Sequence, residues 1–300
     1  MLEARMPVMG TTAHVLVVGC DRLVDVGLAR LAQLEGRWSR FRPTSEISQL
    51  NDHPGRPVIV SADTFHLVEL AIEGWRETEG VFDPTVAAAL RRVGYDRDFS
   101  LVAAHVGHRV LEPAAAAPGC ARIELDPRLL SITLPFGVAL DAGGIGKGLA
   151  ADIVTAELMA AGARGALVNV GGDLRVRGES PIGSAWNVAI EDPTRDPAEI
   201  CRVDLVDGAI ATSSRMQRQW QTGSGPMHHL IDPRSGGPAR TPIATVAAVT
   251  RDAWWAEVVA KTVLIGNLSR AQYRSFGAIV TTIDEDGTVV TDGTLQEAVA

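Results

Sequence analysis

Apolar residues recur along the chain with two different spacings, and each predicts its own kind of element. Between 22 and 37 they fall at Leu23, Val26, Leu31 and Leu34, an amphipathic helical spacing, and 63–78 carries a second helical pattern. A strand-like run at 12–18 precedes the first helix. From 122 onward short apolar or alternating runs predict strands at 122–126, 130–134, 137–140, 165–170, 185–190, 201–205, 208–212, 243–249, 277–282 and 287–290. Helices near 147–161 and 252–265 interrupt them. Early alternation followed by a strand-rich remainder predicts an α+β fold of mixed sheets with flanking helices, not a regular doubly wound sheet. Residues 96–120, with Pro113, Pro118 and an alanine run at 114–117, are the least patterned and read as a variable loop around a weak helix. No fixed-period repeat and no clear internal boundary stand out, so residues 1–300 are expected to form a single domain.

Composition narrows the function classes. A chain of 300 residues with a formal net charge of −8 carries no broad basic surface for nucleic acid, although a local positive pocket for phosphate is still allowed. Three cysteines, Cys20, Cys120 and Cys201, are widely separated and form no paired motif, which argues against a disulfide framework or a zinc site and suits a reducing cytoplasm. The opening MLEARMPVMGTT lacks a charged leader followed by an apolar stretch, and no run approaches the roughly 20 apolar residues of a membrane span. A soluble, unanchored cytoplasmic protein is the expectation.

The stretch DAGGIGKGLAADIV, 141–154, places three glycines between Asp141 and Lys147 where an apolar run at 136–140 meets an amphipathic segment. Glycines there let the main chain approach a ligand, and Lys147 adds a compact charge at the start of a helix, the usual setting for a bound phosphate. Leu149, Ile153, Ala156 and Ala160 lie on one face of that helix. The plain alternative is a glycine-rich turn with a solvated lysine, because G-G-x-G-K matches neither the Walker loop nor the dinucleotide fingerprint.

Further segments accompany this one in order: MGTT (9–12), WSRFRPTSEISQLN (38–51), FDPTV (82–86), LVNVGGDLRVRG (167–178), IATSS (210–214) and HHLIDPRSGGP (228–238). Together they closely resemble the ApbE family of flavin transferases, which attach FMN from FAD to a protein, over about residues 6 to 282. The resemblance implies a T-fold-related α+β architecture. It also implies that Met9 and Phe41 flank the flavin ring, that Asp83 lies near the adenine, and that Lys147 with the backbone of 143–146 faces the pyrophosphate. Asp141, Gly143, Gly144, Gly172, Asp173 and Thr212 complete the implied FAD site, with Asn169 and Gly171 in the same turn as Gly172. Phe41 also suits core packing, and Asp83 also suits the opening of a helix. His229, before Leu230-Ile231-Asp232-Pro233, matches the family position for a proton acceptor; imidazole titrates near neutrality, and His228 is its competitor. The remaining five histidines, His105 and His108 among them, read as surface residues.

One departure from the family pattern bears on the metal. The family carries D-x-x-x-T on the late helix, where Asp and Thr bind Mg²⁺ with a main-chain oxygen of the glycine loop. Here AWWAEVVAKTVLIG places Glu257 and Lys261 at those positions, and Gly146 at the loop position. An ammonium cannot ligate a metal. The two charges are the only ones in an otherwise apolar helix, so they need partners: each other, a phosphate or a metal. Lys261 is therefore read as a built-in cation doing part of the work of Mg²⁺, with Glu257 orienting it. Mg²⁺ held by Glu257, Gly146 and waters is the second reading, and a site without transfer the third. The expected activity is FMN transfer from FAD to a Thr or Ser hydroxyl of a partner flavoprotein, with release of AMP. FAD hydrolysis to FMN and AMP, and non-catalytic FAD binding or flavin storage, are the alternatives.

Overall fold

The computed structural model describes residues 1–103, 114–191, 199–266, 268 and 270–291. The chain divides into two compact units: 1–33, 145–216 and 241–300 in one, 34–144 and 217–240 in the other.

The first unit is built on an eight-stranded, wholly antiparallel sheet ordered Leu2–Val8, Thr11–Val18, Gly165–Val170, Asp173–Gly178, Gly208–Ser214, Ile243–Thr250, Ile279–Asp284, Val289–Thr291. Strand periodicity of two gives each strand two destinies. Leu174, Val176, Ile210, Ala247 and Val249 face the hairpin Trp186–Glu191/Glu199–Leu205 and pack with its Trp186, Ile190, Val203 and Leu205. The helices Gly146–Ala160 and Ala253–Gly266 pack against the sheet and against each other.

The second unit holds the helices Glu46–Asp52, Ala62–Glu77, Ala87–Arg92 and Phe99–Ala103, a three-stranded sheet of Pro57–Ile59, Ser131–Thr133 and Glu124–Asp126, and the hairpin Gln219–Thr222/Gly225–His228. Ser45 and Ser61 cap the first two helices by accepting from the N–H groups of Ser48 and Thr64. Its core gathers Leu90, Val93, Tyr95, Trp220 and Ile231, with Phe41 and Phe99 against them.

The expected α+β class is the observed one. Several local expectations are corrected. No strand forms at 137–140: Asn51 instead donates to the Leu140 carbonyl at 2.9 Å and accepts its N–H at 2.7 Å, replacing a strand partner. The helix Leu23–Trp38 turns Gly27 inward, not Val26, which is 55% exposed. Glycine carries no hydropathy signal, but a side chain there would press on Val15, Val154 and Leu158. The helix Gly146–Ala160 buries Ala150, Ala151, Val154, Thr155 and Leu158, and leaves Ala156 and Ala160 outside, because two surfaces, sheet and helix, claim its sides. The strand Leu2–Val8 escapes the pattern since it is an edge, where Pro7 costs no ladder bond. A short helix, Phe99–Ala103, does lie in the segment 96–120; residues 104–113, with His105 and His108, are outside those described.

Candidate active site

Lys147 enters in the first turn of the helix Gly146–Ala160, Asp173 opens the strand Asp173–Gly178, and Glu257 and Lys261 sit one turn apart on Ala253–Gly266. These four side chains meet. Lys147 Nζ donates to Glu257 Oε1 at 2.8 Å and pairs with Asp173 Oδ2, while Lys261 Nζ donates to the same Glu257 Oε1 at 2.9 Å. Glu257 Oε2 accepts the N–H of Gly148 at 2.9 Å, so a carboxylate from one helix caps the start of the other. Ile145, at the capping position itself, supplies no side-chain bond. Glu257 and Asp173 are fully buried, and both ammonium groups nearly so. The expectation that Glu257 and Lys261 need partners is met by each other and by Lys147; the plain alternative of a solvated Lys147 is overturned.

Burial and opposite charge compete at each group. Burial would raise Glu257, but Lys147 and Lys261 hold it down at about 2. Burial and the charge of Glu257 lift Asp173 to about 6 against the pull of Lys147. Burial lowers Lys147, yet Asp173 and Glu257 outweigh it and leave its ammonium above the ordinary lysine range. Lys261 is pulled below that range by burial, with Glu257 opposing.

Two hairpin tips belong to the same unit. Gly171 and Gly172 have φ of +64° and +97° and close the turn between Val170 and Asp173, with Asn169 Oδ1 accepting the Gly172 N–H at 2.8 Å. A side chain at Gly172 would reach Thr212, which places that residue beside the turn. Met9 and Gly10 close the turn between Val8 and Thr11, and Met9 takes φ of +52°, a left-handed angle that a β-hairpin turn demands and methionine dislikes.

The other unit carries the remaining residues. Asp141 Oδ1 accepts the Gly143 N–H at 2.5 Å, within the turn Ala142–Gly144, and its Oδ2 pairs with Arg40 Nε at 2.6 Å. The Gly143 N–H is thus engaged by Asp141 within the turn. The Arg40 guanidinium lies 4.2 Å over the Phe41 ring and 4.7 Å over Tyr95. Asp83 accepts from the Thr85 N–H and hydroxyl at 2.8 and 2.6 Å, forming an Asx turn rather than opening a helix; burial raises its pKa against those two bonds. His228 Nδ1 accepts the Leu230 N–H at 3.3 Å, which leaves Nε2 to donate to the Ala239 carbonyl at 3.2 Å. Both its nitrogens serve the turn. Half-buried His229 is the next residue in that turn.

The residues do not fit the magnesium ion that the family pattern implies. Mg²⁺ wants near-octahedral oxygen, whereas both oxygens of Glu257 already accept from cationic or amide nitrogen and Lys261 offers no lone pair. Among the described residues no three His, Cys, Asp or Glu side chains gather as a metal ligand set.

Sequence reasoning missed Arg40, Asp152 and Arg175. Asp152 accepts the N–H groups of Ala253 and Trp254 at 2.9 and 2.8 Å and pairs with Arg175, tying down the start of the helix that carries Glu257. Burial pushes Asp152 up to about 7 against those bonds. The polar Asp in GLAAD and the first Arg in DLRVRG were visible, but the contact of Asp152 with Ala253 and Trp254, 101 and 102 residues away, was not.

An antiparallel sheet packed with two helices, a buried lysine–carboxylate cluster at a glycine-led helix start and a double-glycine hairpin define an α+β protein with an electrostatic, glycine-lined site. The profile of the ApbE family matches residues 9–274, and the chain belongs to that family. It is 26% identical over 267 residues to the FAD:protein FMN transferase of Vibrio cholerae, spanning 86% of this chain and 79% of that one. The Rhodobacter capsulatus protein of the same description is 31% identical, over 73% of this chain and 42% of its own. The ApbE protein of Thermotoga maritima superposes with a TM-score of 0.88 at 24% identity, covering 100% and 99% of the two chains. Pseudomonas stutzeri flavinyl transferase ApbE gives 0.80 at 23%, covering 99% and 96%. These likenesses agree with the mixed-sheet fold.

Proposed function

We propose that the chain is an FAD:protein FMN transferase: the hydroxyl of a Thr or Ser in a partner flavoprotein attacks the FMN phosphorus of FAD, a new P–O ester forms, the pyrophosphate P–O bond breaks and AMP leaves. His229 accepts the proton of the attacking hydroxyl. The observation that carries this reading is the ApbE family match over 9–274, joined to a buried site in which two ammonium groups are held in place by carboxylates. Lys147 and Lys261 offer ammonium groups to the pyrophosphate, and electrostatic clamping is the main catalytic need of phosphoryl chemistry. The double-glycine turn, Asp173 and Thr212 border it, Met9 and Phe41 flank the flavin, and Asp83, Asp141 and Gly144 hold the remainder of FAD. The choice of His229 over His228 is supported by the engagement of both His228 nitrogens in the turn.

Among the described residues no helix is long and apolar enough to cross a membrane. All three cysteines are free, which supports a reducing, cytoplasmic setting. Incubation with FAD and a flavin-acceptor domain, followed by intact-mass measurement, tests the activity. An FMN mass on the acceptor is expected; AMP and free FMN with an unmodified acceptor would make the protein a hydrolase, and intact FAD would make it a binding protein.

A further inference from the structure

We propose that Lys261 takes the place of a divalent cation in this chain, so that Glu257 is held by two ammonium groups where the family pattern implies magnesium, and that the site works without a divalent metal. Only the last clause rests on the flavin-transfer reading; the occupancy of Glu257 stands without it.

Glu257 is fully buried and both its oxygens are engaged: Oε1 by Lys147 and Lys261 at 2.8 and 2.9 Å, Oε2 by the Gly148 N–H at 2.9 Å. Asp173 Oδ2 is taken by Lys147, which leaves Asp173 Oδ1 as the one oxygen of this cluster without a partner among the described residues. A Mg²⁺ ion there would find one open carboxylate oxygen and otherwise only water or phosphate, beside two ammonium groups that repel it. Nor can the lysines simply withdraw, because their side chains are only 16% and 12% exposed and Lys147 is anchored by two carboxylates.

Charge decides the matter. Two ammonium groups and two carboxylates sum to zero, so a divalent ion added beside them would leave two uncompensated positive charges in a buried place. Replacing Lys261 by a neutral residue leaves one net negative charge and frees a lone pair on Glu257 Oε1. The wild-type cluster should therefore refuse a divalent ion and the neutralised one accept it. During transfer the Lys261 ammonium would stay protonated and act as a fixed charge toward phosphate oxygen, with no proton passing through it.

Manganese(II) is the probe, its binding to the full-length protein read by loss of the free-ion EPR signal, with and without FAD. Wild type should take up no ion whose binding depends on Glu257. Lys261→Thr should bind one per chain at least about tenfold more tightly than wild type, and Glu257→Gln added to it should abolish that binding. If Lys261→Thr fails to fold by circular dichroism, Lys261→Gln, which keeps the side-chain length and offers an oxygen, carries the same expectation. Wild type binding one ion per chain, alone or with FAD, and losing it on Glu257→Gln would overturn the proposal. A folded neutral variant that binds no better than wild type would overturn it equally. Neither readout involves an acceptor protein, so a failure of the transferase reading leaves them unchanged.

Discussion

Gly148→Ala adds one methyl group where the helices Gly146–Ala160 and Ala253–Gly266 meet. The new Cβ would lie 2.6 Å from the Ala253 carbonyl carbon and 2.8 Å from the Trp254 nitrogen, and closer still to the Ala253 oxygen. All three are backbone atoms, so no side chain can swing aside and one helix must move. Overpacking of this kind costs about 1–3 kcal/mol. The same movement pulls Gly148 N–H from Glu257 Oε2, a charge-assisted bond now 2.9 Å long, worth about 1.5–3 kcal/mol. Alanine returns about 1 kcal/mol of helix propensity. The net expectation is a loss of about 2–5 kcal/mol, read as a lower urea midpoint at unchanged slope. Gly36→Ala is the internal control: it also sits inside a helix, but its Cβ would meet nothing within 4 Å, so propensity alone applies and stability should rise by up to about 1 kcal/mol. If Gly148→Ala proved as stable as wild type, or moved with Gly36→Ala, the close helix crossing and its role in seating Glu257 would be wrong.

His229→Ala should keep FAD binding and lower FMN transfer by about a hundred- to ten-thousand-fold, whereas His228→Ala should mainly lower the melting temperature by freeing the Leu230 N–H and Ala239 carbonyl; the opposite ranking in transfer assays would reassign the base. Glu257, depressed from 4.5 to about 2, contributes stability that is present above pH 4.5 and lost as pH falls toward 2; Glu257→Gln should be less stable at pH 6 and lose less on acidification, and equal acid slopes in urea titrations would contradict this. Met9→Gly should match or exceed wild-type stability, because Met9 is held at φ of +52° at a cost of about 1 kcal/mol. The same variant should bind FAD more weakly by calorimetry, and unchanged affinity would remove Met9 from the flavin site.

Helix and strand identity was largely legible in the chain because periodicity is a local property. The predicted 165–170 is the observed Gly165–Val170, and 252–265 is Ala253–Gly266 within a residue at each end. The paired glycines of NVGGD marked a tight turn, although the strand Asp173–Gly178 that makes it a hairpin was not predicted, and the apolar surroundings of Glu257 and Lys261 showed that both charges must find partners. Faces were less legible. Val26 and Gly27 exchanged roles, and the buried side of Gly146–Ala160 was displaced, because burial depends on which neighbour arrives and how closely.

What the sequence by itself determined was the family, carried by short motifs in order, and the presence of two opposite charges in an apolar helix that need partners. What only the tertiary structure decided was how those charges are partnered. Lys147 lies 26 residues from Asp173 and 110 from Glu257, and no spacing rule joins positions so far apart. The turn at Gly171 and Gly172 starts the strand at Asp173 and alternation turns that residue away from the face of Leu174 and Val176, the missing side chain of Gly148 lets two helices close to backbone contact, and the buried Glu257 carboxylate then gathers Lys147, Lys261 and the Gly148 N–H, since leaving it without partners would be costly.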